Sequence, residues 1–351
     1  MAVRTFLSDR GDTGTRLDLV LRRHLANLEG VTRTRMQTWI DKGTVSINGH
    51  TVRRAAARVA AGDVLTVDIP DAAVPVRRAL EPQDAPLQIL FEDDYLLVVN
   101  KPAGVVVHPS HAQADGTLLN ALAWHARRWP APSEREFTPV EGPRTARPSI
   151  VGRLDKLTSG IVLVAKSAAA HAKLQRAMAS RAAEKDYLAI VYGRVSAQRG
   201  KIDLRLRRDP NDRRRVIASP TVGAPSLTHF ELIAQAAAPG TGVALLRCRL
   251  MTGRTHQIRV HLASRGWPIV GDPIYGTPGR SRITDPAYSE MLSSLPRQAL
   301  HAWRLAFLHP MTSARVEVEA PVPHDMRALL DALSLGVSRE DGGNGGCSPQ
   351  R

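Results

Sequence analysis

Asp155 stands in the stretch Gly152-Arg153-Leu154-Asp155-Lys156-Leu157-Thr158-Ser159-Gly160, directly ahead of the apolar run Ile161-Val162-Leu163-Val164. An uninterrupted apolar run of this length bounded by turn residues reads as a buried strand. The polar stretch before it should therefore lie where that strand meets the surface. A carboxylate on such a loop, with Arg153 and Lys156 beside it, should stay ionised at neutral pH, because nearby positive charge favours the charged form. That suits a nucleophile or a general base, and it equally suits a turn cap or a surface ion pair.

The other spacings that carry chemistry in soluble enzymes are missing. The chain has no Gly-x-x-x-x-Gly-Lys-Ser/Thr loop, no Gly-x-Gly-x-x-Gly after a strand and no His-Glu-x-x-His. His256 and His261 are five residues apart, which fits neither one face of a helix nor one face of a strand, so no zinc site is expected from them. Cys248 and Cys347 lie far apart, the second in a polar tail, and imply neither a disulfide framework nor a thiolate metal site.

The elements that must hold Asp155 can be read in outline. With 351 residues, 43% of them hydrophobic, the chain is long enough for two domains. No apolar run approaches the ~18 residues that span a bilayer, so a cytoplasmic protein without membrane contact is expected. A net charge of +15 points to an anionic partner, nucleic acid or an anionic surface.

Leu17, Val20, Leu21 and Leu25 fall at helical spacing, and Met36, Trp39 and Ile40 mark a second helix that Gly43 would end. Asn48-Gly49 between two short β-prone runs predicts a tight hairpin. Arg22, Arg23, Arg33, Arg35, Lys42, Arg53 and Arg54 crowd this module, which is bounded at 14–75. Residues 76–87 read as a linker. Short strands around Ile89-Leu90-Phe91 and Leu96-Leu97-Val98-Val99 open a second domain at 88–335. In it we expect a helix at 117–128, an irregular proline-rich loop at 129–149, a helix through Ala170, Leu174, Ala177 and Met178, and strands at 187–192, 226–234, 243–250 and 316–319. Two arginine clusters flank Pro210-Asn211-Asp212, which predicts a basic hairpin tip. Thr255 and Gly266 would bound a short helix with Ile258 and Leu262 inward. Residues 336–351 read as a disordered tail.

Five motifs in order carry a family resemblance: Asn100-Lys101-Pro102-Ala103-Gly104, the Arg153-Leu154-Asp155-x-x-Thr158-Ser159-Gly160 stretch, Lys185-Asp186-Tyr187-Leu188-Ala189, residues 253–261 from Gly253-Arg254-Thr255 to His261, and Leu300-His301-Ala302. Together they resemble the RluA-type pseudouridine synthases, over about residues 14 to 325. The N-terminal module, with Arg-Leu-Asp, Gly-x-Val-x-Ile-Asn-Gly and Gly62-Asp63-Val64-Leu65, resembles the S4 RNA-binding module. The resemblance implies an α+β enzyme: a catalytic domain on a large mixed or antiparallel sheet, plus a small N-terminal α/β domain that docks on RNA.

By the same resemblance Asp155 is the indispensable carboxylate, a nucleophile or the group that removes a sugar proton. Tyr187 stacks on the uracil, Arg259 pairs with Asp155 through a flat two-pronged contact, and Arg153 holds the disturbed base stack. Asn100-Lys101-Pro102 would be a supporting turn, with Leu300-His301-Ala302 and His309-Pro310 closing the site. No cofactor is implied, since the reaction is an isomerisation. The implied substrate is large-subunit (23S) ribosomal RNA, with transfer RNA as the alternative and a non-catalytic RNA-binding or ribosome-assembly factor as the other class. A monomer is expected. The chain departs from the family where Gly152 replaces the usual His and Leu157 the common Asp, both beside Asp155.

Overall fold

In the computed structural model the described residues are 2–9, 12–25, 33–69, 80–109, 113–129, 148–180, 182–212, 214–238 and 241–335. The chain divides into two compact units near residue 80.

The first unit runs β1 (Ala2–Leu7), α1 (Leu17–His24), α2 (Arg33–Lys42), β2 (Val45–Ile47), β3 (His50–Thr51) and β4 (Val64–Ile69). Its sheet has the order β1-β4-β2-β3. The helix-spaced apolar residues Leu17, Val20, Leu21, Met36, Trp39 and Ile40 are buried together against Val45, Leu65 and Val67. Asn48 and Gly49 both take positive φ, 50° and 80°, as a two-residue hairpin turn requires. The unit starts earlier than the expected boundary at 14, because β1 pairs with β4 along its whole length, from Ala2 opposite Ile69 to Leu7 opposite Val64.

The second unit comprises β5 (Gln88–Glu92), β6 (Leu96–Lys101), α3 (Leu118–His125), β7 (Ser149–Val151), β8 (Ser159–Ala165), α4 (Ala168–Ala179), β9 (Glu184–Tyr192), β10 (Arg199–Arg208), β11 (Val216–Ser219), β12 (Ala224–Ala238), β13 (Thr241–Leu250), α5 (Gln257–Ser264), α6 (Thr277–Arg280), α7 (Pro286–Ser293), β14 (Leu300–Leu308), β15 (Arg315–Glu319) and α8 (His324–Ala332). Among the described residues the sheet has eleven strands, with the path β11-β10-β12-β13-β9-β14-β8-β6-β5 and with β15 on β14 and β7 on β8.

Strand β8 is buried at every residue, as its apolar run demands in the middle of a covered sheet. It meets β14 in parallel, His301 opposite Ser159 and Ala302 opposite Gly160. Gly160 is required there: its φ is +113°, and a Cβ would come within 2.2 Å of the Ala302 carbonyl oxygen. Helix α4 is capped by Ser167, whose hydroxyl accepts from the Ala170 N–H at 3.1 Å, and buries Ala170 and Leu174. Helix α8 adds Met326, Leu329 and Leu330 to the core around Leu188 and Leu300.

Within the stretch 76–87 expected as a linker, Glu81 and Gln83 are tied to this unit. The Gln83 N–H donates to the Asn120 carbonyl at 3.1 Å, Asn120 donates to the Glu81 carbonyl at 2.8 Å, and Gln83 Oε1 accepts from the Gly116 N–H at 2.7 Å. The rest of that linker up to 79, nearly all of the proline-rich loop (130–147) and the tail lie outside the described residues. Among the described residues no helix is long and apolar enough to cross a membrane.

Candidate active site

The turn that carries Asp155 is anchored from three sides. Its own carbonyl accepts from the Thr158 N–H at 3.1 Å, closing the turn. From the end of β6, Lys101 sends its amino group to the carbonyls of Pro102, Val105 and Lys156 at 2.8, 2.9 and 3.2 Å, and Gly104 N–H donates to the same Lys156 carbonyl at 2.8 Å. Lys101 is fully buried, which pushes its pKa down to about 8, so the ammonium is still present at neutral pH. From the approach to β14, the Gln298 amide donates to Thr158 Oγ1 at 3.0 Å, and His301 Nδ1 lies 3.0 Å from Ser159 Oγ. Asn100-Lys101-Pro102 and Leu300-His301-Ala302 therefore brace the site as expected. His309 does not: it sits beyond the far end of β14 with its ring 3.0 Å from Asp93.

Arg259 is buried on α5 with Ile258 and Leu262 in the core beside it. One of its terminal nitrogens, Nη1, donates to Asp155 Oδ2 at 2.9 Å. The two-pronged contact goes elsewhere, from Nε and Nη2 to Asp272 Oδ2 and Oδ1 at 2.6 and 2.8 Å. Asp272 owns that geometry because it is fully buried in a turn where its Oδ1 also accepts the N–H groups of Ile274 and Tyr275 at 2.9 and 3.0 Å. Burial alone would raise the Asp272 pKa. The hydrogen bonds and charge of Arg259 outweigh it, and the pKa falls.

Helix α5 starts one residue later than expected and without a Thr255 cap. His256 holds the N-cap position at φ +55°, and Gln257 pins the turn by accepting from the Thr252 hydroxyl and the Arg254 N–H at 2.9 and 3.0 Å. That conformation turns the His256 ring to the site, with Nε2 3.8 Å from Asp155 Oδ2 and Nδ1 3.0 Å from the Tyr275 hydroxyl. Burial lowers the His256 pKa. His261 faces away, fully buried between Ser226 and Thr228 at 2.9 Å from each, and burial pushes its pKa down to about 4. The two histidines thus serve different places.

Tyr187 on β9 lines the same cavity as Asp155, and burial, then the Asp155 charge, raises the pKa of its hydroxyl. Arg153 and Lys156 are exposed and make no ion pair with Asp155 among the described residues; the charge beside that carboxylate is Arg259's. Asp155 Oδ1 has no partner among the described residues, and the carboxylate is 29% exposed, so one oxygen is held and the other is open to the cavity. Asp272 and Tyr275 escaped the sequence reading, and His256 entered it only within the 253–261 motif and as a rejected zinc ligand. The only signal was an acid between Gly271 and Pro273, just after the apolar Ile269-Val270.

On the first unit, Arg22, Lys42, Arg53 and Arg54 are exposed and Arg35 is half-buried. Arg53 donates to the Asp41 carbonyl at 3.1 Å. Arg23 is exposed but committed, with Asp9 at 2.6 Å and Asp12 at 3.0 Å. The side chain of Arg33 lies outside the described residues.

A buried arginine thus holds one oxygen of a cavity-facing aspartate at the end of a central strand of the large mixed sheet. The sequence profile of RNA pseudouridylate synthase matches residues 95–264. The chain belongs to the RNA pseudouridylate synthase family, whose members are isomerases. Among its relatives is "Ribosomal large subunit pseudouridine synthase D" of Zymomonas mobilis, 41% identical over 326 residues that cover 92% of this chain and 95% of the relative. The protein of the same name from Nitrosomonas europaea is 38% identical over 91% of this chain and 85% of its own length. The solved structure of human RNA Pseudouridylate Synthase Domain Containing 1 shares 25% identity with a TM-score of 0.50, over 73% of this chain and 98% of the human one.

Proposed function

We propose that this protein isomerises uridine to pseudouridine in large-subunit ribosomal RNA, with Asp155 as the indispensable carboxylate. The observation that carries the reading is the Arg259 contact at 2.9 Å, which holds one Asp155 oxygen and leaves the other open in a cavity shared with Tyr187. The substrate follows from the relatives named for the ribosomal large subunit. Identity to the first of them extends over 326 residues, more than the second unit alone contains, so the N-terminal unit is shared as well.

The reaction breaks the bond from ribose C1′ to uracil N1, turns the base and joins C1′ to C5; C5 gives up a proton and N1 gains one. There is no redox change, and no cofactor is called for. Asp155 Oδ1 serves either route, attack on the substrate or removal of a sugar proton, while Arg259 fixes the carboxylate's orientation. Tyr187 stacks on the uracil. Its phenol is protonated at neutral pH, so any part in removing the C5 proton is a relay in which one proton arrives as another leaves. A paired uridine is out of reach of these groups, so the base is flipped out or comes from a loop, with Arg153 at the mouth supporting the broken stack.

The N-terminal unit acts as an S4-like module that docks on RNA phosphates through Arg22, Lys42, Arg53 and Arg54, positioning the enzyme without reading sequence. We place the protein in the cytoplasm, working as a monomer. The test is a pseudouridine map of ribosomal RNA from cells lacking the protein, then supplied with the intact chain or with Asp155→Asn. The intact chain should restore at least one large-subunit signal. The variant should leave residual turnover below about one part in a hundred, because the amide keeps the shape but supplies neither a charged nucleophile nor a base. Restoration only in transfer RNA would replace the substrate, and restoration by the variant would remove Asp155 from its role.

A further inference from the structure

The cavity around Asp155 continues past Tyr187. At about 780 Å³ it lies in the upper half of the range for sites that enclose one small ligand, roughly 300–1,000 Å³, and it extends from α5 across β8 to α4. One arm holds Asp155, Tyr187, His256 and Arg259. The other is floored by Met178, which packs on the core residues Leu163 and Leu305, and carries the polar groups of His171, Gln175 and Lys185.

This second arm has the make-up of a site for a flat heterocycle, apolar walls with a few convergent polar groups. His171 and Gln175 are four residues apart on α4 and share a helix face. His171 Nδ1 lies 2.9 Å from Ser149 Oγ on β7, which fixes the ring. Its Nε2 and the whole Gln175 amide have no partner among the described residues, although each can meet donors or acceptors on a base edge. Lys185 donates to the Met178 carbonyl at 3.0 Å, which draws its amino group toward α4. It precedes Tyr187 by two residues on the same face of β9, so the two arms are about 7 Å apart along that strand. One extended nucleotide covers that distance. Arg153 and Lys156 stand exposed at the shared mouth, their side chains without partners among the described residues, as phosphate contacts require.

We propose that the α4 arm is a binding subsite for the nucleotide adjoining the target uridine, taking its unstacked base against Met178 with its edge toward His171 and Gln175. The proposal rests on the reading of the chain as a pseudouridine synthase. Flipping the target removes one stacking partner from its neighbour, which lowers the cost of unstacking the neighbour too. The subsite ties target choice to the identity of that neighbour.

The test uses a stem-loop around the mapped uridine, with one neighbour at a time made abasic. Single-turnover conversion is measured with the intact chain and with the doubly substituted His171→Ala, Gln175→Ala chain. For one neighbour the abasic change should lower kcat/KM about tenfold with the intact chain and by less than about twofold with the double variant. Other abasic positions should affect both proteins alike. Equal losses in the two proteins at every position would overturn the subsite. Gln175→Ala alone replaces an exposed, unpartnered side chain on a helix. If the double variant fails to fold, this variant decides: it should shrink the abasic penalty to about threefold, and an unchanged penalty again overturns the subsite. Failure of the intact chain to convert the parent stem-loop would overturn the enzyme itself, a result separable because that RNA carries no abasic change.

Discussion

The guanidinium of Arg259 commits all three nitrogens to Asp272 and Asp155, whereas the side chains of Arg22, Lys42 and Arg54 on the N-terminal unit meet no partner among the described residues. Both regions are rich in positive charge, yet they use it in opposite ways. In the buried site one guanidinium is shared by two carboxylates, so Arg259 acts through direction: it holds one Asp155 oxygen at 2.9 Å and leaves the other open. On the exposed surface the charges have no carboxylate beside them among the described residues, and a polyanion would supply the match. Geometry should therefore govern the first region and salt the second.

The largest effect should come from Arg259→Lys. Lysine keeps the charge but cannot bridge two carboxylates in one plane, so turnover should fall about a hundredfold or more while RNA affinity stays within about twofold. Equal losses in binding and turnover would mean that charge alone matters there. Next is Asp272→Asn, which strips the partner from a buried arginine. It should lower the unfolding free energy by about 3 kcal/mol in denaturant titration, and a loss below about 1 kcal/mol would show that Asp155 and the Tyr275 ring, 5.1 Å from the Arg259 guanidinium carbon, suffice to hold it.

A smaller effect follows from His261 and His301, whose folded pKa values are pushed by burial to about 4. Their unfolded values lie near 6.5, so between these limits the unfolded chain binds more protons, and stability is complete above about pH 6.5 and lost as pH falls toward 4. Each contributes up to about 1.4 kcal/mol per pH unit in that window. Thermal unfolding should therefore move to lower temperature between pH 7 and pH 5, and a flat profile would contradict buried neutral rings. Smallest of all, Arg22→Ala, Lys42→Ala and Arg54→Ala should each reduce the slope of log affinity for RNA against log salt by about one unit, with kcat unchanged. An unchanged slope would remove the N-terminal unit from the RNA.

The contrast also explains what the sequence disclosed. Asp155 and Arg259 were legible through the family motifs that contain them: alone, the polar turn before β8 equally suited a cap or a surface ion pair, and Ile258 and Leu262 marked only the inward face of α5. Asp272 was not, because Gly-Asp-Pro reads as an ordinary surface turn until Arg259 folds over it. Strand β1 was missed because it is an edge strand whose alternate apolar residues face out, Val3 at 59% and Leu7 at 65% exposure, and whose partners lie some sixty positions away. The N-cap of α5 was misplaced because His256 adopts a left-handed backbone that its residue type does not announce.

The two-residue parallel contact between β8 and β14 has a consequence for how the enzyme comes into being. Thr158 meets Gln298 across 140 positions and Ser159 meets His301 across 142, while Asp155 waits 104 positions for Arg259. Contacts of such high sequence separation carry a loop-closure cost that local elements do not, and they slow folding. During synthesis the carboxylate turn leaves the ribosome well before the segments that brace it. The complete Asp155 site is thus among the last parts of the fold that the nascent chain can assemble.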